Sequence, residues 1–373
     1  MTTVVAALAV AGMVAACGAS TQKPGSGSSG APSAAGSSSS SPAASSSAAG
    51  SSAAGSSAAE SSASSPAGSS AAGSSAAGSP AAGSSAAASS PSAPATGEPE
   101  PLDLGLAKDD ELAALVPESI RSAGKLVIAT DASYAPNEFL KNGQGEPIGM
   151  DIDLGNAIGQ LLGLQTEWKP TTFDGILAGI NAGRFDLSLS SFTDTKKREE
   201  QVNFVTYFQA GVSIVVAKGN PENIQSSQDL CGKKVGAENG TTEQDMLTKA
   251  DVDDSVVKIC QDAGKPAPDF SGYPSQSDVN VALASGRLDA YMADTPVAEY
   301  AVKITGDKFE KVGEDVGVAP YGIALPKKPA ELTTAVQRAV QKLMDDGDYA
   351  KILDNWGLSD GAIDKAEVNK AIF

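Results

Sequence analysis

The chain has 373 residues, with 27 Lys and Arg against 45 Asp and Glu, a formal net charge of −18 and no histidine. This acidic balance argues against nucleic acid as a partner and against binding flat on anionic lipid. The lack of histidine excludes the catalytic triads, proton relays and metal sites that depend on imidazole.

The first 97 residues have a different composition from the rest. Apart from Lys23 and Glu60 they carry no charge, and most of them are Ala, Ser, Gly and Pro. Such sequence buries too little apolar surface to offset the entropy lost on ordering. We therefore predict a disordered tether over residues 18–119, followed by a folded part long enough for one large domain or two smaller ones.

The N-terminal residues indicate export. Residues 4–16 form an apolar run of 13 residues, which is too short for an ordinary membrane span and fits a signal peptide. The run ends in Val14-Ala15-Ala16-Cys17-Gly18, which resembles the lipobox of bacterial lipoproteins. We expect residues 1–17 to be a lipoprotein signal peptide and Cys17 to be lipidated, which places the protein on the outer face of the cytoplasmic membrane. The alternative is an ordinary secretory signal with an incidental cysteine.

Two cysteines remain in the folded part, Cys231 and Cys260. An exported domain lies in an oxidising compartment, where cysteine pairs form stable disulfides. We predict a Cys231–Cys260 disulfide, and two separate buried thiols are the alternative.

Apolar runs and helical spacings alternate from residue 125 to residue 356, which predicts an α/β protein with mostly parallel strands. The predicted strands are 125–130, 165–168, 185–190, 212–218, 234–238, 288–293 and 321–326. The predicted helices are 151–164, 173–183, 241–250, 278–286, 295–304, 331–346 and 348–356. The similar motifs Ala182-Gly-Arg-Phe-Asp186 and Ser285-Gly-Arg-Leu-Asp289 suggest two lobes built on the same plan.

Ligands of open α/β sheets bind beyond the carboxyl ends of the strands. Ser190, Ser191 and Thr193 stand at the end of strand 185–190 and offer hydroxyl groups before a helix. Arg198 lies one turn into that helix, and its planar guanidinium suits a carboxylate. The alternative is a capped helix with a solvated basic face.

Other strand ends contribute further candidates. The loop Asn239-Gly240-Thr241-Thr242 is either a donor-rich anion site or a helix cap. Asp294 either accepts hydrogen bonds from an ammonium group or caps the next helix. Asp131 and Tyr134 follow the first strand and Phe173 precedes a helix, so the two aromatic rings either enclose the apolar part of a ligand or belong to the core.

Five stretches in this order resemble the polar amino-acid-binding proteins of ABC importers, family 3 of the extracellular solute-binding proteins, over about residues 120–358. They are 130–139, 148–163, 172–205, 236–242 and 281–294, of which the third is specific to the family. The resemblance implies a two-lobed periplasmic-binding-protein-like fold of type II, with two hinge strands crossing near Val216–Gly219 and Gly317–Tyr321. One lobe then comprises 120–217 and 319–358 and the other 218–318, with 359–373 as a C-terminal tail.

The resemblance also implies how the backbone groups of an amino acid are bound. Arg198 matches the arginine that pairs with the ligand α-carboxylate, and Ser191 and Thr193 match positions that hydrogen-bond the ligand. Thr242 matches a donor to the same carboxylate from the other lobe. Asp294 matches the acid that holds the α-ammonium group.

The ligand side chain is less well defined by the resemblance. Tyr134 and Phe173 match the walls of the site, and Asp131 and Glu243 lie where side-chain specificity is read. Asn137 departs from the family, which often has Phe there, and makes the wall near Tyr134 more polar.

The function implied is capture of a polar amino acid by hinge closure and its delivery to the permease of an ABC importer, by a monomer without metal, cofactor or catalytic residues. The acidic candidates favour a basic side chain, with a neutral polar one such as glutamine or cystine as the alternative. Two other functions stay open. One is a sensory module for a receptor kinase, and the other is an enzyme on the same fold, such as a dehydratase or a peptidoglycan lyase, using Glu243 or Asp131.

Overall fold

The computed structural model describes residues 99–373. The predicted signal peptide, its lipidation site Cys17 and residues 18–98 of the predicted tether lie outside the described residues. Within residues 99–373, no helix combines the length and the apolar character needed to cross a bilayer.

Helices and strands alternate along most of the described chain, as the sequence predicts. The α-helices are α1 (Asp110–Ala113), α2 (Glu118–Ala123), α3 (Met150–Leu162), α4 (Phe173–Asn181), α5 (Lys196–Glu199), α6 (Thr242–Thr248), α7 (Val256–Asp262), α8 (Gln276–Ala284), α9 (Thr295–Thr305), α10 (Ala330–Asp345) and α11 (Asp348–Trp356). The strands are β1 (Lys125–Thr130), β2 (Ser133–Tyr134), β3 (Glu138–Leu140), β4 (Pro147–Ile148), β5 (Gln165–Pro170), β6 (Leu187–Ser188), β7 (Asn203–Ala217), β8 (Lys234–Glu238), β9 (Asp269–Tyr273), β10 (Ala290–Asp294) and β11 (Phe309–Leu325). The prediction missed α1, α2, α7, β2–β4 and β9, which are too short to show a clear hydrophobic period.

The main sheet has eight strands in the order β5-β1-β6-β11-β7-β10-β8-β9. Strands β5, β1 and β6 are mutually parallel, and so are β10, β8 and β9. Between these groups, β11 and β7 are antiparallel to each other and to their outer neighbours. The predicted α/β class with two lobes is confirmed, and a long antiparallel pair joins the lobes.

Each group of parallel strands has its own apolar core. Leu126 and Ile128 of β1 are buried in the first-lobe core, together with residues of α3 and α10. Val235 of β8 and Met292 of β10 are buried in the second lobe, together with residues of α6 and α7. Because each lobe buries its own apolar surface, the cleft between them can be lined by polar groups.

Strands β7 and β11 carry the chain between the lobes. Phe208 of β7 packs in the first core, whereas Val212 pairs with β10 and packs in the second. The crossing in β7 therefore lies between these residues, upstream of the predicted crossing at Val216–Gly219. In β11 the pairing is irregular between Val316 and Ala319, which overlaps the predicted crossing at Gly317–Tyr321.

The folded part begins before residue 119, where the predicted tether was expected to end. The Leu102 N–H group donates to Asp153 Oδ2 at 3.0 Å, and the Leu106 N–H group donates to Gln160 Oε1 at 2.8 Å. The side chains of both leucines pack against the first-lobe core. Leu102, Leu104 and Leu106 form an alternating apolar pattern. The prediction missed it because the tether was predicted from composition alone.

Residues 359–373, predicted as a polar tail, pack against the first lobe. Val368 forms an antiparallel bridge with Val205 of β7, and Ala366 is fully buried. We call Lys365–Phe373 the C-terminal strap. It covers the edge of β7 that β10 leaves free in the first lobe.

The predicted disulfide between Cys231 and Cys260 is confirmed. It joins residues 29 positions apart and anchors α7, which has seven residues and is too short to be stable alone. Closing a loop of this length restricts the unfolded chain and stabilises the fold by about 3–4 kcal/mol.

Candidate functional site

All ten residues predicted to bind a ligand line one cavity between the lobes. The space among the lining residues amounts to about 280 Å³ including its opening to solvent, and little of it is wide enough for a water molecule. The residues that line it are Asp131, Tyr134, Glu138, Phe173, Ser190, Ser191, Thr193, Arg198, Glu238, Thr241, Thr242, Glu243 and Asp294. The lobes therefore meet closely around the predicted residues, with the cleft in a closed form.

Arg198 lies on α5 and is 9% exposed. Its Nη1 donates to the Thr193 carbonyl oxygen at 2.8 Å, and its Nη2 donates to the Gly240 carbonyl oxygen of the other lobe at 3.0 Å. The guanidinium carbon is 5.5 Å from the ring centre of Phe173 and 5.1 Å from that of Phe192. The alternative of a capped helix with a solvated basic face holds for the Thr195 cap and for the exposed Lys196 and Lys197, but it is wrong for Arg198, whose guanidinium is buried beside the cavity.

Ser191 has a left-handed backbone with φ 48° and is held from three sides. Its N–H group donates to Asp151 Oδ2 at 3.0 Å, and its hydroxyl donates to Glu138 Oε2 at 3.1 Å. Asn137 Nδ2 donates to the same hydroxyl oxygen at 2.9 Å. Asn137 is fully buried behind Ser191 and does not line the cavity, so its expected contribution to the cavity wall is wrong.

A pair of hydrogen bonds links Tyr134 to Asp294 across the cleft. The Tyr134 hydroxyl donates to Asp294 Oδ2 at 3.0 Å and accepts from the Asp294 N–H group at 3.0 Å. Asp294 precedes α9 without a side-chain capping bond, so the capping interpretation is wrong. Burial and the nearby Glu243 raise the pKa of Asp294 well above its ordinary value.

The loop before α6 serves as both helix cap and cleft wall. Thr241 Oγ1 accepts from the Gln244 N–H group at 3.2 Å and so caps α6. The Thr242 hydroxyl donates to Glu243 Oε2 at 3.2 Å and lies 3.5 Å from Thr193 Oγ1. Thr242 is therefore the hydroxyl of this loop that faces the first lobe.

Asp131 joins three elements at the edge of the first lobe. Its Oδ2 accepts from the Phe173 N–H group at 2.9 Å, and its own N–H group donates to Ser190 Oγ at 2.8 Å. Asp131 therefore connects the end of β1, the segment after β6 and the start of α4. Burial raises the pKa of Asp131.

Among the side chains lining the cavity, all within the described part of the chain, five are carboxylic and one is a guanidinium. Burial and the Asp151 carboxylate raise the pKa of Glu138 well above its ordinary value. Burial and the Asp131 carboxylate do the same for Glu238, although these two residues belong to different lobes. The closed cavity therefore disfavours ionisation of these carboxyl groups, because one guanidinium cannot balance the negative charge of all of them.

Two carboxyl oxygens in the cavity have no donor. Within residues 99–373, no hydrogen-bond donor reaches the buried Oε1 atoms of Glu238 and Glu243. Leaving an ionised oxygen buried without a partner costs several kcal/mol. The site consequently favours a ligand that brings both positive charge and N–H groups. No group of three or more potential metal ligands is arranged to hold an ion within the described residues.

The sequence prediction missed three lining residues, Glu138, Glu238 and Thr241. Glu238 is the last residue of β8, so the rule that ligands bind at carboxyl ends of strands would have identified it. Glu138 begins the short strand β3, which had no recognisable pattern, and nothing local indicated its place in the cavity. Thr241 was noted as part of the donor-rich loop, but only its neighbour was chosen as a contact.

Comparison with known proteins gives consistent matches. The family of bacterial extracellular solute-binding proteins, family 3, matches residues 126–359. The arginine-binding protein ArgT of Corynebacterium glutamicum is 32% identical over 262 residues, which are 70% of this chain and 83% of the relative. The L-cystine-binding protein TcyJ of Escherichia coli is 29% identical over 238 residues, which are 64% of this chain and 84% of the relative. A solved ancestral arginine-binding protein bound to arginine matches with a TM-score of 0.55 and 37% identity, covering 62% of this chain and 98% of that one.

Proposed function

Because the chain belongs to the bacterial extracellular solute-binding proteins of family 3, we propose that it captures a cationic amino acid outside the cytoplasmic membrane. The observation that carries this proposal is the excess of carboxyl groups over guanidinium in the cavity. The ligand then supplies charge that the protein lacks at this site.

The backbone groups of an amino acid fit opposite sides of the cleft. Arg198 offers a planar set of donors to the α-carboxylate, with the Thr193 and Thr242 hydroxyls within reach of the same group. Asp294 on the second lobe accepts from the α-ammonium group. Arg198 and Asp294 then pair with the two charged backbone groups of the ligand. The other four carboxyl groups of the cavity are left without a partner of opposite charge.

The unbalanced groups favour a positively charged ligand side chain. Asp131 and Glu138 from the first lobe and Glu238 and Glu243 from the second line the rest of the cavity. An arginine-like side chain brings one positive charge and several N–H donors to acceptors that lack them. An acidic amino acid would add a like charge to a buried acidic site, which is costly. A neutral polar ligand is the second candidate, and similarity to a cystine-binding relative supports it.

Binding and closure are linked because the ligand groups come from both lobes. The first lobe is proposed to run from about Leu102 to the part of β7 before Val212 and from about residue 319 through the C-terminal strap, with the second lobe between these two parts. The closed form is supported by contacts across the cleft, including Tyr134 to Asp294 and Arg198 to Gly240. A ligand that binds both lobes stabilises this closed form over the open one, which is hinge closure.

Membership of this family supports delivery of the ligand to an ABC importer permease, and we propose that the monomer is held at the outer face of the membrane through a lipid on Cys17. Labelling of the expressing cells with a tagged fatty acid is expected to mark the wild-type protein and not the Cys17→Ala variant. Equal labelling of both proteins would contradict the proposed lipid anchor, but it would not bear on the proposed binding function.

The dehydratase alternative is favoured by one observation, the raised pKa of carboxyl groups in a closed cleft. A binding protein releases its ligand unchanged, whereas an enzyme converts it. Chromatography of the ligand after prolonged incubation with the protein distinguishes the two, and we expect it to be recovered intact.

A thermal-shift screen of arginine, lysine, ornithine, citrulline, glutamine, cystine and glutamate tests the ligand class. At about a thousand times Kd, a ligand stabilises the fold by about 4 kcal/mol, which raises Tm by about 5–10 °C. We expect such a shift with at least one cationic amino acid and a much smaller one with citrulline, which keeps the shape of arginine without its charge. Equal shifts with arginine and citrulline, or none with any cationic amino acid, would contradict the proposal.

A further inference from the structure

The C-terminal strap ends against the short segment that carries Arg198. The Lys370 N–H group donates to Asp194 Oδ2 at 2.7 Å, and the Ala371 N–H group donates to Glu199 Oε1 at 3.0 Å. The Lys196 N–H group donates in turn to the Phe373 carbonyl oxygen at 3.0 Å. The strap thus contacts the segment immediately before α5, the first residue of α5 and its last residue.

The segment needs such support. Helix α5 has four residues, and a helix of this length is unstable without tertiary contacts. Its own stabilisation is the hydroxyl of Thr195, which accepts from the Arg198 N–H group at 3.2 Å. The Asp194 side chain that receives the strap is fully buried. Without the strap, that carboxyl group would lose the one hydrogen-bond donor that reaches it within residues 99–373.

The strap is itself fixed along β7 through Asn369. Asn369 Oδ1 accepts from the Phe204 N–H group at 2.8 Å, while the Asn369 N–H group donates to the Phe204 carbonyl oxygen at 3.0 Å. Asn369 has φ 54°, a left-handed conformation that asparagine tolerates better than most residues. This residue therefore both turns the strap and attaches it, just before the contact of Lys370 with Asp194.

We propose that the C-terminal strap is a positioning element of the ligand site, which fixes the Asp194–Glu199 segment so that the Arg198 guanidinium stays aimed into the cavity. The inference rests on the proposed function, since it gives the strap a role in ligand binding. The family match ends at residue 359, so the strap lies beyond the region that this family shares. A preformed Arg198 loses less freedom on binding, which raises affinity without any direct contact between strap and ligand.

The variant Asn369→Ala tests this role in the otherwise intact chain. We expect about a three- to tenfold loss of affinity for arginine by calorimetry, the size expected when a side chain must be immobilised on binding. Amide hydrogen exchange of the ligand-free protein should also accelerate at Lys196, whose N–H group bonds to the strap. Asn369→Asp keeps the acceptor for the Phe204 N–H group and should largely restore both values.

Asn220→Ala is the matched control. Asn220 also has a left-handed backbone, φ 44°, and its Oδ1 accepts from the Ile224 N–H group at 2.9 Å in a loop of the second lobe. This control should lose similar thermal stability but keep arginine affinity within about twofold and leave exchange at Lys196 unchanged. Wild-type exchange at Lys196 in Asn369→Ala, or equal affinity losses in both variants, overturns the positioning role. Failure of the wild-type protein to bind arginine would count against the proposed ligand instead, because the exchange measurement needs no ligand.

Discussion

Replacement of Arg198 by alanine is expected to weaken binding of a cationic amino acid by about 10²- to 10⁴-fold while the protein stays folded. The guanidinium is buried beside the stacked rings of Phe173 and Phe192, where water cannot replace it. Without it, the ligand carboxylate would enter a cavity that already contains five carboxyl groups. Titration calorimetry measures the loss, and circular dichroism checks the fold.

Arg184→Ala is the matched control for this variant. Arg184 is exposed, and its guanidinium carbon also lies over an aromatic ring, 5.6 Å from the ring centre of Phe185, away from the cavity. The Arg184→Ala variant should bind a cationic amino acid with the affinity of the wild type. Arg198→Lys keeps the charge without the planar fork and should lie between wild type and alanine. If the Arg198→Ala variant bound the ligand with wild-type affinity, the proposal that Arg198 binds the ligand carboxylate would be contradicted.

The sequence was most informative where one residue both ends a strand and carries a distinctive side chain. Asp131 and Asp294 were found in this way, whereas Arg198 was found one turn into the helix that follows a strand, and all three line the cavity. For Arg198 and Asp294 the local pattern was equally compatible with a helix cap or a solvated face. Burial decided between these readings, and burial depends on the approach of the second lobe, which no local pattern contains.

Features that depend on pairing over long sequence distances could not be predicted. Glu138 is hydrogen-bonded to Ser191 and electrostatically coupled to Asp151, a cluster assembled from three separate parts of the chain. The strap looked like a polar tail because it is held mainly by hydrogen bonds, including those of Asn369 to β7, and Ala366 is the one apolar side chain of the strap that is buried. The crossing point in β7 was misplaced for a related reason, since the strand is continuous and apolar on both sides of it.

The second large effect concerns pH. Burial raises the pKa values of Asp131, Glu138, Glu238 and Asp294, and for the last three the increase is large. Burial also raises the pKa of Asp151, which neighbours Glu138, to about 6. These carboxyl groups therefore hold protons in the closed, ligand-free site at pH values where exposed carboxyl groups are ionised. A cationic ligand favours the ionised forms, so its binding must release protons.

The sign of the pH effect follows from this linkage. A carboxyl group with a raised pKa in the folded state binds more protons there than in the unfolded chain. The contribution of these groups to the stability of the ligand-free fold is then fully present below the ordinary carboxyl pKa near 4 and is lost as pH rises through the raised values. A cationic ligand removes this penalty by pairing with the ionised groups. Both its affinity and its stabilising effect should therefore increase with pH over the same interval.

Affinity for arginine is expected to fall by about tenfold per pH unit for each proton released, as pH is lowered from 8 to 5. Below about pH 7 neither the charged backbone groups of the ligand nor its guanidinium titrate appreciably, so the change in affinity there belongs to the protein. Calorimetry in buffers of different ionisation enthalpy counts the protons directly. Glu238→Gln removes one of the titrating groups, so it should flatten the profile and reduce the count. Arginine affinity that stays constant over this interval, or increases toward acid pH, would show that the carboxyl groups of the cavity do not bind the ligand cation.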